Sequence, residues 1–92
     1  MADVASPGAR ELAEAARREA AELVQRAAEP RAPAEKIKVS ITRAATKLGW
    51  SYRRTEDIWR QEARRIDSWE MDQLRRTARR RQHRRGRREH RA

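Results

Sequence analysis

The side chains with the clearest chemical capacity are arginines near the C-terminal end. They form the runs Arg75-Arg76-Thr77-Ala78-Arg79-Arg80-Arg81 and Arg84-Arg85-Gly86-Arg87-Arg88. A guanidinium is always charged and carries its donors in a rigid fork. Such clusters bind phosphates, release counterions and carry little base-sequence information by themselves. Other chemistries lack their residues. No cysteine is present, which removes disulfides, thiolate zinc sites and cysteine nucleophiles. His83 and His90 stand among arginines with no carboxylate cluster beside them, and that positive field opposes a metal cation. No polar pair suggests a nucleophile with its base, and no glycine-rich phosphate loop occurs. The expectation is a protein that is not an enzyme, with no metal, cofactor or small-molecule ligand.

The charge balance points the same way. Twenty-four basic against fourteen acidic side chains give +10, distributed as −1 over residues 1–33, +4 over 34–67 and +7 over 68–92. Of the basic residues, 21 are arginine, and a GC-rich genome would raise arginine and alanine together. Composition bias does not gather the excess at one end, nor does a merely solubilising tail account for it as well as a polyanionic partner does. Nucleic acid is the expected partner.

The elements that must position these groups are small. A chain of 92 residues, 37% apolar and 41% charged, allows one small domain with a helical arm or tail, of a size that often gains stability from a second copy or a ligand. No apolar run approaches the ~20 residues that span a bilayer. Residues 1–5 lack the basic and apolar parts of a signal peptide. The expected location is cytoplasmic, nucleoid-associated when bound, with no membrane partner.

The pattern predicts an all-α fold. Residues 1–29 hold an Ala-rich N-terminal helix, with Ser6 as cap and Pro7 at its first position. Its stripe of Leu12, Ala16, Ala20, Leu23, Val24 and Ala27 serves packing on the domain or dimerisation. Residues 30–33, with Pro30 and Pro33, form a stiff linker. A second helix is expected from Pro33 or Ala34 to Leu48, with Ile37, Ile41, Ala44 and Leu48 facing the core. A short strand at 36–42 is the rival, because Ile37, Val39 and Ile41 also alternate. Gly49 closes this helix in the left-handed conformation, Trp50 folds back on its last turn, and Ser51 caps a third helix from Tyr52 to about Arg65. That helix presents Tyr52, Thr55, Trp59, Ala63 and Ile66 to the core, with Ile58 beside them. A capping box at Asp67-Ser68-Trp69-Glu70, with Ile66 and Met71 as staple, starts a fourth helix whose apolar stripe is Met71, Leu74 and Ala78. The domain thus covers 34–80, and residues 81–92 form a basic tail, a fraying helix or disordered until a partner neutralises it. Core packing is the first expectation for the tryptophans, with base stacking an alternative for Tyr52 or Trp69.

Ala45-Thr46-Lys47-Leu48-Gly49-Trp50-Ser51-Tyr52 resembles the core of bacterial and phage helix-turn-helix DNA-binding proteins over residues 41–60. Those proteins carry a small residue, a glycine four positions later, then an apolar residue and Ser; Ala45, Gly49, Trp50 and Ser51 match, as does Ile58 at a later apolar position. Thr55 departs, standing where the family has Val or Ile. The resemblance implies that the third helix enters the major groove with Ser51, Tyr52, Arg53, Asp57 and Arg60 facing DNA. Arg53 or Arg54 would pair with guanine, a contact worth ~1–3 kcal/mol of discrimination. Lys47 and the tail arginines Arg75, Arg76, Arg79, Arg80, Arg81, Arg84, Arg85, Arg87 and Arg88 would hold phosphates. The bland alternative makes Arg53–Asp57 and Glu56–Arg60 surface pairs one helical turn apart.

The function expected is sequence-selective binding of double-stranded DNA by a small transcriptional regulator, as a homodimer on two half-sites. Two other classes stay open. One is an RNA-binding protein acting through the arginine-rich tail, which resembles phage antitermination peptides in composition. The other is a phage-type modulator docking on a protein or nucleoprotein complex.

Overall fold

Four helices build the fold: α1 (Ser6–Ala27), α2 (Ile37–Leu48), α3 (Tyr52–Trp59) and α4 (Ser68–Arg91). They are seen in a computed structural model that describes residues 6–91, with side chains described for residues 8–80. The described residues contain no strand, so the protein is all-α and residues 36–42 do not adopt the rival extended form.

The central element is α1. It packs against α2, α3 and α4, while α2 packs also on α3. Ala20, Leu23, Val24 and Ala27 of α1, with Ala28 just beyond it, are buried against Ile41, Ala44, Leu48, Ile58, Trp59, Met71 and Leu74. The stripe that left a choice between the chain's own domain and a second copy is therefore occupied within the chain from Ala20 onward. Alanines on this stripe keep α1 thin on its core face. Larger burial comes from Val24, Ile41, Ile58 and Leu74, all essentially inaccessible and each worth about 1.5–3 kcal/mol. Leu12 was expected on the same stripe but is 71% exposed, two turns before Ala20, where burial begins. The cap expected from Ser6 falls on a side chain outside the described residues.

The helix α2 starts at Ile37, later than the proline-based expectation of 33 or 34. Ile37 then lies in the first turn and stays 46% exposed, while the expected stripe holds from Ile41 through Ala44 to Leu48. A polar cluster binds the connection before it. Glu35 takes Arg43 in a two-pronged pair, with Nη1 to Oε2 at 2.9 Å and Nη2 to Oε1 at 2.5 Å. Arg43 Nη1 also donates to the carbonyls of Ala28 (2.7 Å) and Pro30 (3.1 Å). The buried Ser40 hydroxyl donates to Glu35 and accepts from Arg31 Nε, and the Arg31 guanidinium lies 5.4 Å from the Trp59 ring centroid. Residues 28–36 are thereby tied to both α2 and α3.

The helix α3 is shorter than expected. It ends at Trp59 rather than near Arg65, because Gln61 adopts a left-handed φ of 60°. The N–H groups of Glu62 and Ala63 then return to the Asp57 carbonyl at 2.8 and 3.2 Å. No glycine or asparagine marks this stop. Ala63 still reaches the core and Ile66 packs partly against it, but both do so from a loop.

Candidate nucleic-acid interface

The turn between α2 and α3 forms as its residues dictate. Gly49 takes φ 72° and ψ 27°, and its N–H donates to Ala45 O at 2.8 Å while Trp50 N–H donates to the same oxygen at 3.0 Å. A left-handed residue is needed to turn the chain back on the last carbonyls, and glycine adopts it without strain. The Trp50 side chain reaches across to α4. Its Nε1 donates to Gln73 Oε1 at 3.0 Å, and Gln73 Nε2 donates to Leu48 O at 2.7 Å, which fastens the turn to α4.

Ser51 caps α3, its Oγ accepting the Arg54 N–H at 3.1 Å. Thr55, the departure from the helix-turn-helix pattern, is fully buried. Its hydroxyl donates to the Ser51 carbonyl at 2.8 Å, so a polar atom sits satisfied where an aliphatic one was expected.

The two adjacent arginines of α3 separate. Arg53 is exposed and makes no ion pair with another described residue. Arg54 points back into the protein, donating from Nε to Glu70 Oε2 at 2.8 Å, from Nη2 to Glu70 Oε1 at 2.6 Å, and from Nη2 to Arg65 O at 2.8 Å. Arg54 is a structural cross-link, with its Nε and Nη2 donors committed to Glu70 and to the Arg65 carbonyl. The hydrogen-bonded Arg54 guanidinium holds the Glu70 carboxyl below its ordinary value, against the upward push of burial. Glu70 also accepts the Asp67 N–H at 2.9 Å, which forms one half of the expected capping box. The Asp67 carboxylate instead stands 3.5 Å from Arg65.

Of the remaining α3 positions, Tyr52 is half-buried against the core and Asp57 is half-buried. Arg60 is exposed at the end of the helix, 3.4 Å from Glu56, which matches the surface-pair alternative. The pair Arg53–Asp57 does not form. Lys47 donates to the Glu29 carbonyl at 2.9 Å.

The described arginines of α4 divide in the same manner. Arg75 makes a two-pronged pair with Glu19 of α1 at 2.8 and 3.0 Å, which holds the Glu19 carboxyl below its ordinary value. Arg76, Arg79 and Arg80 are exposed and form no ion pair with another described residue. The helix α4 continues through residues 81–91, where a fraying helix or disorder was expected, while the side chains of Arg81, Arg84, Arg85, Arg87 and Arg88, and those of His83 and His90, lie outside the described residues.

Trp69 departs from the core-packing expectation for the tryptophans. Trp69 is 58% exposed and meets Trp50 edge to face, with centroids 6.1 Å apart. The signal was present, since Trp69 falls opposite Met71, Leu74 and Ala78 at 100° per residue. Among the described residues there is no group of three or more potential metal ligands, and no helix is long and apolar enough to cross a membrane. Comparison with family models, curated proteins and solved structures yields no match.

Proposed function

We propose that the protein binds double-stranded DNA, with α2 and α3 acting as a helix-turn-helix and the arginines of α4 anchoring phosphates. The observation that carries this reading is the sorting of the guanidinium groups. Arg43, Arg54 and Arg75 are each closed onto a carboxylate, whereas Arg53, Arg76, Arg79 and Arg80 project without an ion pair to any described residue. Charges left in this way on one end of α3 and along α4 suit an external polyanion. The reading set on α3 becomes Ser51, Tyr52, Arg53, Asp57 and Arg60, with Glu56 competing for Arg60.

A homodimer on two half-sites belongs to the same proposal, as does a role in transcription regulation. The α1 stripe is covered by the chain's own core from Ala20 to Ala27, while Leu12 at its start is open to a second copy. Substituting Arg53 by Ala should relax preference among DNA sequences by a factor of about ten. Replacing Arg76, Arg79 and Arg80 together should weaken all sequences alike and reduce the slope of log affinity against log salt by about three. Equal loss on every sequence from both changes would remove α3 as the reading helix.

A second reading rests on the length of α4. A helix that continues to Arg91 with arginine on several faces suits an RNA stem as well as a DNA backbone. Tighter binding of a structured RNA than of duplex DNA at matched salt would select it.

A further inference from the structure

On α4, the core residues Met71, Leu74 and Ala78 occupy one side of the helix. Trp69, Gln73, Arg76 and Arg80, spaced by four, three and four, fall on the other. Gln73 is held by Trp50 and by the Leu48 carbonyl. Trp50 also bears on Trp69 at an interplanar angle of 81°, so the Trp69 ring is braced from one side while more than half of the residue faces solvent. A braced, exposed indole is an unusual use of apolar surface on so charged a helix. Arg76 and Arg80 follow it by about 10 and 16 Å along the axis, at about 1.5 Å per residue. Neither forms an ion pair with another described residue.

An aromatic plane followed by regularly placed cations fits a strand whose bases offer flat faces and whose backbone carries a charge at every step. Duplex DNA hides its base faces, so the plane discriminates for unpaired nucleotides. We infer that Trp69, Arg76 and Arg80 form a stacking site for single-stranded DNA, with a base on the Trp69 indole and the adjoining phosphates on the two arginines. This inference rests on the DNA-binding reading above and adds a strand state to it. The site adjoins the turn that carries Ser51 and Arg53, because Trp50, the residue before the α3 cap, is the one that braces Trp69.

The test uses the full chain, an oligo-dT of about twenty nucleotides and a blunt duplex of the same length at matched salt. Trp69→Ala should weaken oligo-dT binding about tenfold, within the range of one base–aromatic stack, and leave duplex affinity within about twofold. Trp69→Phe, which keeps an aromatic face, should retain most of the oligo-dT affinity. Arg76→Gln with Arg80→Gln should weaken both ligands. Oligo-dT should quench tryptophan emission of the parent chain and lose that effect in Trp69→Ala. Far-UV circular dichroism checks that each variant is folded, and the parent-chain quench stands whether or not Trp69→Ala folds.

An absent quench, or equal loss on both ligands from Trp69→Ala, overturns the stacking site. Duplex binding with oligo-dT binding indifferent to Trp69 removes this inference and leaves the duplex reading intact. Trp69-dependent oligo-dT binding without duplex binding does the reverse. No binding of either ligand removes both.

Discussion

Arg54 and Glu70, 16 residues apart, are joined by two parallel hydrogen bonds of 2.8 and 2.6 Å that fasten the first turn of α3 to the first turn of α4. Glu70 is 2% exposed, so this pair is a buried carboxylate with its required partner rather than a surface ion pair. Removing Arg54 strands that charge. Arg54→Ala should lower unfolding free energy by about 2–4 kcal/mol. Arg53→Ala, one residue earlier and exposed, should change it by less than about 0.5 kcal/mol. Urea unfolding of the two variants gives the comparison. Equal stabilities would remove the cross-link, and the contrast also allows an affinity loss in Arg53→Ala to be read without a folding defect.

Gly49 supplies a second check on the α2–α3 turn. Its φ of 72° disfavours a side chain, although an added Cβ would meet no atom within 4 Å. Gly49→Ala should therefore cost about 1–2 kcal/mol through backbone strain alone, with no packing clash to add to it. A loss well above that in thermal or urea unfolding would mean that the turn's surroundings are tighter than described.

Thr55 tests how much the polar substitution in the helix-turn-helix pattern matters. The Ser51 carbonyl accepts both the Thr55 hydroxyl at 2.8 Å and the Thr55 N–H at 3.1 Å. Thr55→Val keeps the shape and leaves that oxygen with a backbone donor, so stability should shift by less than about 1 kcal/mol. A large loss would show that the hydroxyl holds the first turn of α3 together.

The helix-stop glycine, the Ser51 cap and the Glu70 half of the capping box were readable because each acts through its own immediate backbone neighbours. The end of α3 was not, because Gln61 takes a left-handed conformation without the residue type that usually marks it. The central position of α1 was hidden for a different reason. An alanine stripe has the same periodicity whether it meets the chain's own helices or a second copy, and only the tertiary packing decides. Among the site residues, Arg53 and Arg54 look alike in sequence, and the partner that separates them lies 16 residues further on. Helical spacing places Trp69 opposite the core stripe, whereas the general tendency of tryptophan to be buried points the other way.

The connection before α2 carries a pH signature. Arg43 and the Ser40 hydroxyl hold the Glu35 carboxyl down to about 2 from an ordinary 4.5. A carboxylate whose folded value is depressed stabilises the fold fully above its unfolded value, and that contribution fades as pH falls through the folded one. Glu35→Gln should therefore be less stable than the parent chain at neutral pH. The difference should shrink from about pH 5 downwards and be lost near pH 2. Glu19 and Glu70, also held low by their arginines, add to the acid sensitivity of the parent chain in the same direction. A stability difference that stays constant over this range would show that Glu35 is not paired in solution.

Affinity selection from a random-sequence duplex pool across a salt series decides whether the chain reads duplex DNA, as proposed above. Reading by α3 should return an enriched motif, arranged as an inverted repeat, together with a steep fall of affinity with salt from the α4 arginines. Tight, salt-sensitive binding with no enriched sequence would contradict reading by α3 and leave only the arginine helix. Absence of duplex binding at low salt would contradict the account as a whole.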